Sequence, residues 1–207
     1  MTHVSINNNV SKISKALKAE YDPIYVDVIP EPQTKESDCF RIVPNKIRES
    51  GGKAIFGWTI WEHKYFIEAE CHTVWEDNEG NLLDITPKQN NSQRILFIED
   101  DNIKYDGKQI PNLRINISKN TLVDDLISTC DYFFFLRNKG KRALVYDLKS
   151  ILTYEELREI KKISILKEMI LALLENDGNR NSLCLCNRGK KFKNCCGKDL
   201  EKQFSKT

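Results

Sequence analysis

Between Lys53 and Pro87 the chain runs through KAIFGWTIWE, KYFIEAECHTVWED and NLLDITP with little between them. These segments are rich in β-branched and aromatic residues. EDNEGN, between the last two, carries the chemistry of a hairpin turn. That run commits the middle of the chain to a sheet. RILFIED and IKYDGKQI continue the β pattern, and Asp106-Gly107 is a second tight-turn signal.

Helical patterns flank the sheet. Residues 8–20 repeat Val10, Ile13 and Leu17 at helical spacing. YDPIYVDVIPEPQ, with three prolines, reads as extended or looped. ESDCFRIVPNKIRES has helix-like spacing interrupted by Pro44, and Gly51-Gly52 stops it. A helix entered through Thr121-x-x-Asp124 is predicted over SKNTLVDDLISTCDYFFFLRN. A longer one follows Thr153, which forms a capping box with Glu156. Its apolar stripe runs through Leu157, Ile160, Ile163, Ile170, Leu171 and Leu174, and Gly178 ends it.

The fold class is α+β: a mainly antiparallel sheet with an N-terminal helix, then C-terminal helices and a small cysteine-rich module. The expected divisions are 1–117 for the body, 118–177 for a helical segment packed on it and 183–198 for the module. NDGNRNS at 176–182 is the candidate flexible linker. The formal net charge of +2 does not by itself call for nucleic acid. No segment is apolar enough for a membrane span or a signal peptide, so no membrane role and a cytoplasmic location are expected. Thiols there stay reduced.

Four of the seven cysteines, Cys184, Cys186, Cys195 and Cys196, fall within CLCNRGKKFKNCCG. Two close thiol pairs joined by a short loop can supply the four ligands of a tetrahedral zinc ion, Zn2+. A disulfide pair or unrelated buried thiols are the other readings. A reducing compartment and the spacing favour metal. Four thiolates around zinc carry a charge of about −2, which Arg188, Lys190, Lys191, Lys193 and Lys198 would offset.

This stretch closely resembles the SEC-C motif, a small zinc-binding module found at the ends of many unrelated bacterial proteins. Cys184, Cys186, Gly189, Lys190, Lys191, Phe192, Lys193, Cys195, Cys196 and Gly197 match its pattern. Leu185 stands in place of its proline, and Asn187-Arg188 in place of Gly-Ser. The resemblance implies a tail that docks on a chaperone, the ribosome or nucleic acid. Phe192 is then expected to stack and the basic residues to supply charge.

In the body, Cys39 precedes a helical pattern, where unpaired N–H groups and the helix dipole favour a thiolate. Strand alternation puts Cys71 on one face with Ile67, Ala69, Thr73 and Trp75, which marks it as core. His72 goes to the other face with Glu68, Glu70 and Val74. Asp84 falls near His72 across the predicted hairpin and can orient the imidazole. Taken singly, each of the three is an ordinary core or turn residue. Trp58, Trp61 and Trp75 read as a core cluster, otherwise as the wall of a groove. Cys130 reads as helix packing, and His3 and His63 as incidental.

The order Cys39, His72, Asp84 loosely resembles papain-like and transglutaminase-like folds, as do His72-x-x-Trp75 and Asp84-x-Thr86. Gln33, six residues before Cys39, has the spacing of a papain-like oxyanion glutamine. The resemblance implies a cysteine nucleophile acting on a peptide or carboxamide carbonyl, by hydrolysis or acyl transfer. The competing reading is a non-catalytic adaptor that works through its basic zinc tail.

Overall fold

The computed structural model of the 207-residue chain describes residues 5–88, 91–145 and 148–204. His3 lies outside the described residues. Two compact units divide the chain. One comprises Met1–Tyr105 with Ile110–Ile117, the other Asp106–Gln109 with Ser118–Thr207.

The first unit is α+β. Its elements are α1 (Asn8–Leu17), β1 (Ile24–Val28), α2 (Cys39–Ser50), β2 (Lys53–Glu62), β3 (Phe66–Glu76), β4 (Leu82–Asp84), β5 (Arg94–Glu99) and β6 (Leu113–Asn116). The sheet runs β2-β5-β1-β4-β3-β6, and β2 also pairs with β3. Five strands therefore close into a ring, with β6 added at the free edge of β3. The sheet is mixed. β1 runs parallel to β4, with Val28 opposite Asp84, and the other pairings are antiparallel. The parallel pair closes the ring.

Closure gives the sheet an inner and an outer face. Val26, Ile55, Val74, Ile95 and Phe97 fill the inside. Outside, Val10 and Ile13 of α1 cover Ile60, Ile67, Ala69, Leu96 and Ile98. Ile42 and Val43 of α2 cover Ile85, with Ala54, Trp75 and Leu83 beside them. Gly57 lies opposite His72. A Cβ there would come within 2.2 Å of the Ile98 carbonyl oxygen and 2.5 Å of the Phe97 ring. Glycine is what lets Phe97 occupy the middle of the ring.

Several sequence expectations need correction. α2 runs through Pro44 for 12 residues instead of stopping there. Pro44 is the sixth residue of α2, and without an N–H it removes the one ladder bond that would have gone to the Phe40 carbonyl, yet the helix continues. IKYDGKQI forms no strand. The final strand is β6, further on. The tryptophans do not form one cluster. Trp58 packs with the α1 group, Trp61 with the inner group and Trp75 with the α2 group. Their indole N–H groups donate to Asp100, Glu70 and the Gly51 carbonyl respectively.

The second unit holds α3 (Leu122–Asn138), α4 (Tyr154–Glu175) and α5 (Cys196–Phe204). The capping box at Thr153 and Glu156 is formed. Thr121 makes no side-chain cap on α3, and Asn120 Oδ1 accepts from the Leu122 N–H instead. The segment expected to be a flexible linker is fastened down. Arg180 pairs with Asp125 at 3.0 Å, and Asn120 donates to the Gly178 carbonyl. Among the described residues, no helix is long and apolar enough to cross a membrane.

Candidate metal centre and candidate nucleophile site

The four tail cysteines converge. One sulfur from each of Cys184, Cys186, Cys195 and Cys196 lies within 4.8 Å of all the others. Sulfurs bound at ~2.3 Å around one tetrahedral ion would sit about 3.8 Å apart. The donor set therefore fits a structural metal site of the zinc type.

The chain between the pairs explains the convergence. Asn187 and Gly189 adopt positive φ and turn the backbone back. The Cys184 N–H then donates to the Lys190 carbonyl, and Leu183 bridges to Lys191. A 3-10 turn over Phe192–Asn194 delivers the second pair. Gly197 is required by packing, since a Cβ there would lie 2.8 Å from the Phe192 ring.

Phe192 is fully buried. It is the module's core, so the stacking role expected for it is corrected. Arg188, Lys190, Lys191, Lys193 and Lys198 are exposed. Arg188 does more than offset charge at a distance. Its guanidinium donates to Cys186 Sγ at 3.2 Å and Cys196 Sγ at 3.3 Å. Hydrogen bonds from Arg188 bring the Cys186 thiol down to about 6. Burial pushes Cys196 up to about 12.

The second cluster lies in the ring. Cys39 is the first residue of α2 and is buried. His72 points to the inner face of β3 and is 5% exposed. Asp84 ends β4 and is fully buried. β3 and β4 pair Trp75 with Leu83, which sets Asp84 diagonal to His72 on one face. His72 Nε2 lies 3.1 Å from Asp84 Oδ2. Cys39 lies near the same imidazole and adds to the rise in its pKa. With Nε2 turned to Asp84, Nδ1 is the nitrogen left for the thiol. The Thr86 N–H donates to Asp84 Oδ1 at 3.0 Å and fixes the carboxylate.

The electrostatics follow from these contacts. Burial alone would lower the His72 pKa. The charge and contact of Asp84, with Cys39 adding to them, outweigh burial and raise it to about 9. Burial likewise works against an ionised Asp84, but His72 and Lys88 together hold it down at about 2. Burial, with the Cys39 thiol second, pushes Cys71 up to about 12. Cys71 is thus a core thiol on the opposite face.

Lys88 is the residue that sequence reasoning missed. Its Nζ lies 2.6 Å from Asp84 Oδ2 and 3.3 Å from His72 Nε2. The contacts at Oδ2 are close in distance but poorly aligned as hydrogen bonds. The signal was present as Asp84-x-x-x-Lys88, but nothing in strand periodicity says that a loop lysine folds back onto the carboxylate.

A cleft of about 260 Å3 opens beside the cluster, lined by Glu36, Trp61, Glu70, His72 and Lys88 among others. His63 lines it too, stacked on Phe66 and 3.5 Å from Glu68. Gln33 is not brought to this cleft. It has positive φ and faces a separate groove with Arg41, Asn45 and Glu49. Cys130 is half-buried on α3.

A thiol beside an imidazole that is itself held by a carboxylate can lose its proton to that imidazole and attack an electrophilic carbon. A model of the SEC-C motif matches residues 180–198 of this chain. No curated protein matches the chain, and no solved structure does.

Proposed function

We propose that the chain is a thiol-dependent hydrolase or acyltransferase acting on a peptide or carboxamide, with a tail that holds one structural zinc ion. The supporting observation is His72 held against Asp84 and lining a cleft, with Cys39 near the same imidazole. The order of the three residues is papain-like or transglutaminase-like.

In this reading the Cys39 proton passes to His72 Nδ1. The sulfur attacks the acyl carbon and forms a tetrahedral oxyanion. The N–H groups of Cys39 and Phe40, which come before the first bonds from Arg41 and Ile42 to the Asp38 carbonyl, are the donors best placed for that charge. Collapse breaks the C–N bond, and the imidazolium gives its proton to the leaving amine. Water or an amine then attacks the thioester, with His72 as base, and Cys39 is released. Asp84 orients the ring and stabilises its charged form. Zinc held by Cys184, Cys186, Cys195 and Cys196 would cross-link the tail.

The test is alkylation of Cys39 by iodoacetamide at neutral pH, followed by peptide mass mapping. The wild type is expected to react at least about tenfold faster than His72→Ala or His72→Gln, because general bases contribute effects of ~10²–10⁴. Equal rates in folded proteins would overturn the reading.

A second reading is supported by the exposed Arg188, Lys190, Lys191, Lys193 and Lys198. The tail would then dock on a chaperone, the ribosome or nucleic acid. RNA binding of this kind weakens steeply with salt. Salt-insensitive binding would exclude a phosphate-backbone partner.

A further inference from the structure

The carboxylate of Asp84 has two cationic partners where an orienting acid needs only one. Oδ2 faces His72 Nε2 at 3.1 Å and Lys88 Nζ at 2.6 Å. The two partners also face each other at 3.3 Å. Lys88 lies just beyond β4, after Pro87, and its side chain is only 10% exposed. An ammonium this enclosed makes few contacts with water, so its charge acts mainly on its neighbours.

Those neighbours have opposite needs. Asp84 gains from a second cation. The imidazolium form of His72 loses, because it becomes a like charge next to Lys88 and shares its counter-ion. The other charged or titratable groups around His72 are Cys39 from α2, Glu70 two residues along β3, and Glu36, Glu68 and His63 in the cleft. Among the described residues, Lys88 is the cation in contact with the Asp84–His72 pair.

We propose that Lys88 is a positioning residue whose ammonium shares Asp84 with His72 and so limits how tightly the imidazole holds the proton it takes from Cys39. The proposal rests on the nucleophile reading. Its chemical sense lies in the second half of that reaction. A base that binds its proton too firmly is a poor acid toward the leaving amine, and the most effective group has a pKa near the working pH. A buried histidine paired with a buried aspartate alone would be driven the wrong way. Lys88 supplies the opposing charge from within the same network while keeping Asp84 ionised.

The direction separates this role from a scaffolding one. If Lys88 only held Asp84 in place, its loss would loosen the carboxylate and lower the His72 pKa. If it restrains the imidazolium, its loss must raise that pKa.

The test is NMR titration of the His72 ring in the full chain, its signal assigned by its disappearance in His72→Gln. Lys88→Met is expected to raise the His72 pKa by about one pH unit or more. Like charges 3.3 Å apart repel by that much even in a medium as polar as water. Lys88→Arg keeps the charge and is expected to leave the titration within a few tenths of the wild type. Lys88→Gln keeps a donor to Asp84 without charge and should behave as Lys88→Met, so it carries the test should Lys88→Met fail to fold. A His72 pKa that stays or falls in both neutral variants overturns the inference and leaves the nucleophile reading standing. A wild-type Cys39 that iodoacetamide alkylates no faster than in His72→Ala overturns both.

Discussion

Replacing Asp84 by asparagine keeps the shape of the side chain and removes its charge. Its carboxylate is fully buried and holds two cations through one oxygen. The cost can be worked in two ways. A pKa held at about 2 instead of the ordinary 3.8 is just under two pH units, or roughly 2–3 kcal/mol. Breaking a buried ion pair by deleting one partner costs about 3–5 kcal/mol. Asp84→Asn should therefore destabilise the barrel unit by about 3 kcal/mol near pH 6. The difference should also depend on pH. The share from Asp84 has a depressed folded pKa, so it is present above the unfolded value near 3.8 and is lost as pH falls toward 2. The share from His72 has a raised folded pKa. It is complete below about 6.5 and fades as pH rises through about 9. Wild type and variant should thus differ most between about pH 4 and 6.5; the difference should fall away toward pH 2 and narrow above about 9, where the Lys88–Asp84 pair keeps part of it. Urea unfolding followed by tryptophan fluorescence reads the right unit, because Trp58, Trp61 and Trp75 all lie in β2 and β3. A difference below about 1 kcal/mol, or one that stays flat with pH, would refute the reasoning.

Three further outcomes follow from the same geometry. The purified chain should carry about one zinc, and Cys195→Ser should lose it without changing the tryptophan-monitored unfolding of the barrel; full zinc retention by atomic absorption would contradict the four-thiolate site. Arg188→Ala should weaken zinc affinity by about 10–100-fold in a chelator competition, because two ligand sulfurs lose a donor, and Arg188→Lys should not restore it, since one ammonium cannot replace the planar fork. Phe192→Ala should cost about 3–5 kcal/mol in the helical unit by circular dichroism, as expected of a fully buried ring; a loss of partner binding without loss of stability would return Phe192 to a surface role.

Local rules carried much of the fold. The Thr153–Glu156 capping box and the Asp77–Gly80 turn are written in adjacent residues, and the structure forms both. α4 also forms, but it buries Leu166 and Leu173 with Ile163, Ile170 and Leu174, while Leu157, Ile160 and Leu171 of the expected stripe are only half-buried. The diagonal of His72 and Asp84 followed from a turn and a period of two. The cysteine spacing was legible because the site closes within one short loop. What remained hidden was set by distant residues. β1 looked merely extended, since Pro23 and Pro30 bracket it and its partners β4 and β5 come much later in the chain. Nothing local to IYVDV says that it will close a ring. β6 has four residues, too few for alternation to stand out. Pro44 was read by its average effect, but the loss of one ladder bond does not end α2. Phe192 looked available for stacking because it sits among lysines, but the missing side chain of Gly197 leaves the gap that it fills. Lys88 and Gln33 mark the limit of spacing arguments at the site. Both lie in loops, where sequence separation does not fix direction. One turns into the cluster and the other faces a different groove.

The account stands or falls on whether Cys39 is a nucleophile that turns over. The direct measurement is the reaction of the full chain with p-nitrophenyl acetate, following nitrophenolate release and the intact mass together. The account predicts a burst of about one nitrophenolate per chain and a transient acetyl group on Cys39, followed by slower steady release. Cys39→Ser and His72→Ala should abolish both phases. A chain with no acetyl group on Cys39, or an acetyl group that forms equally in His72→Ala, would contradict it.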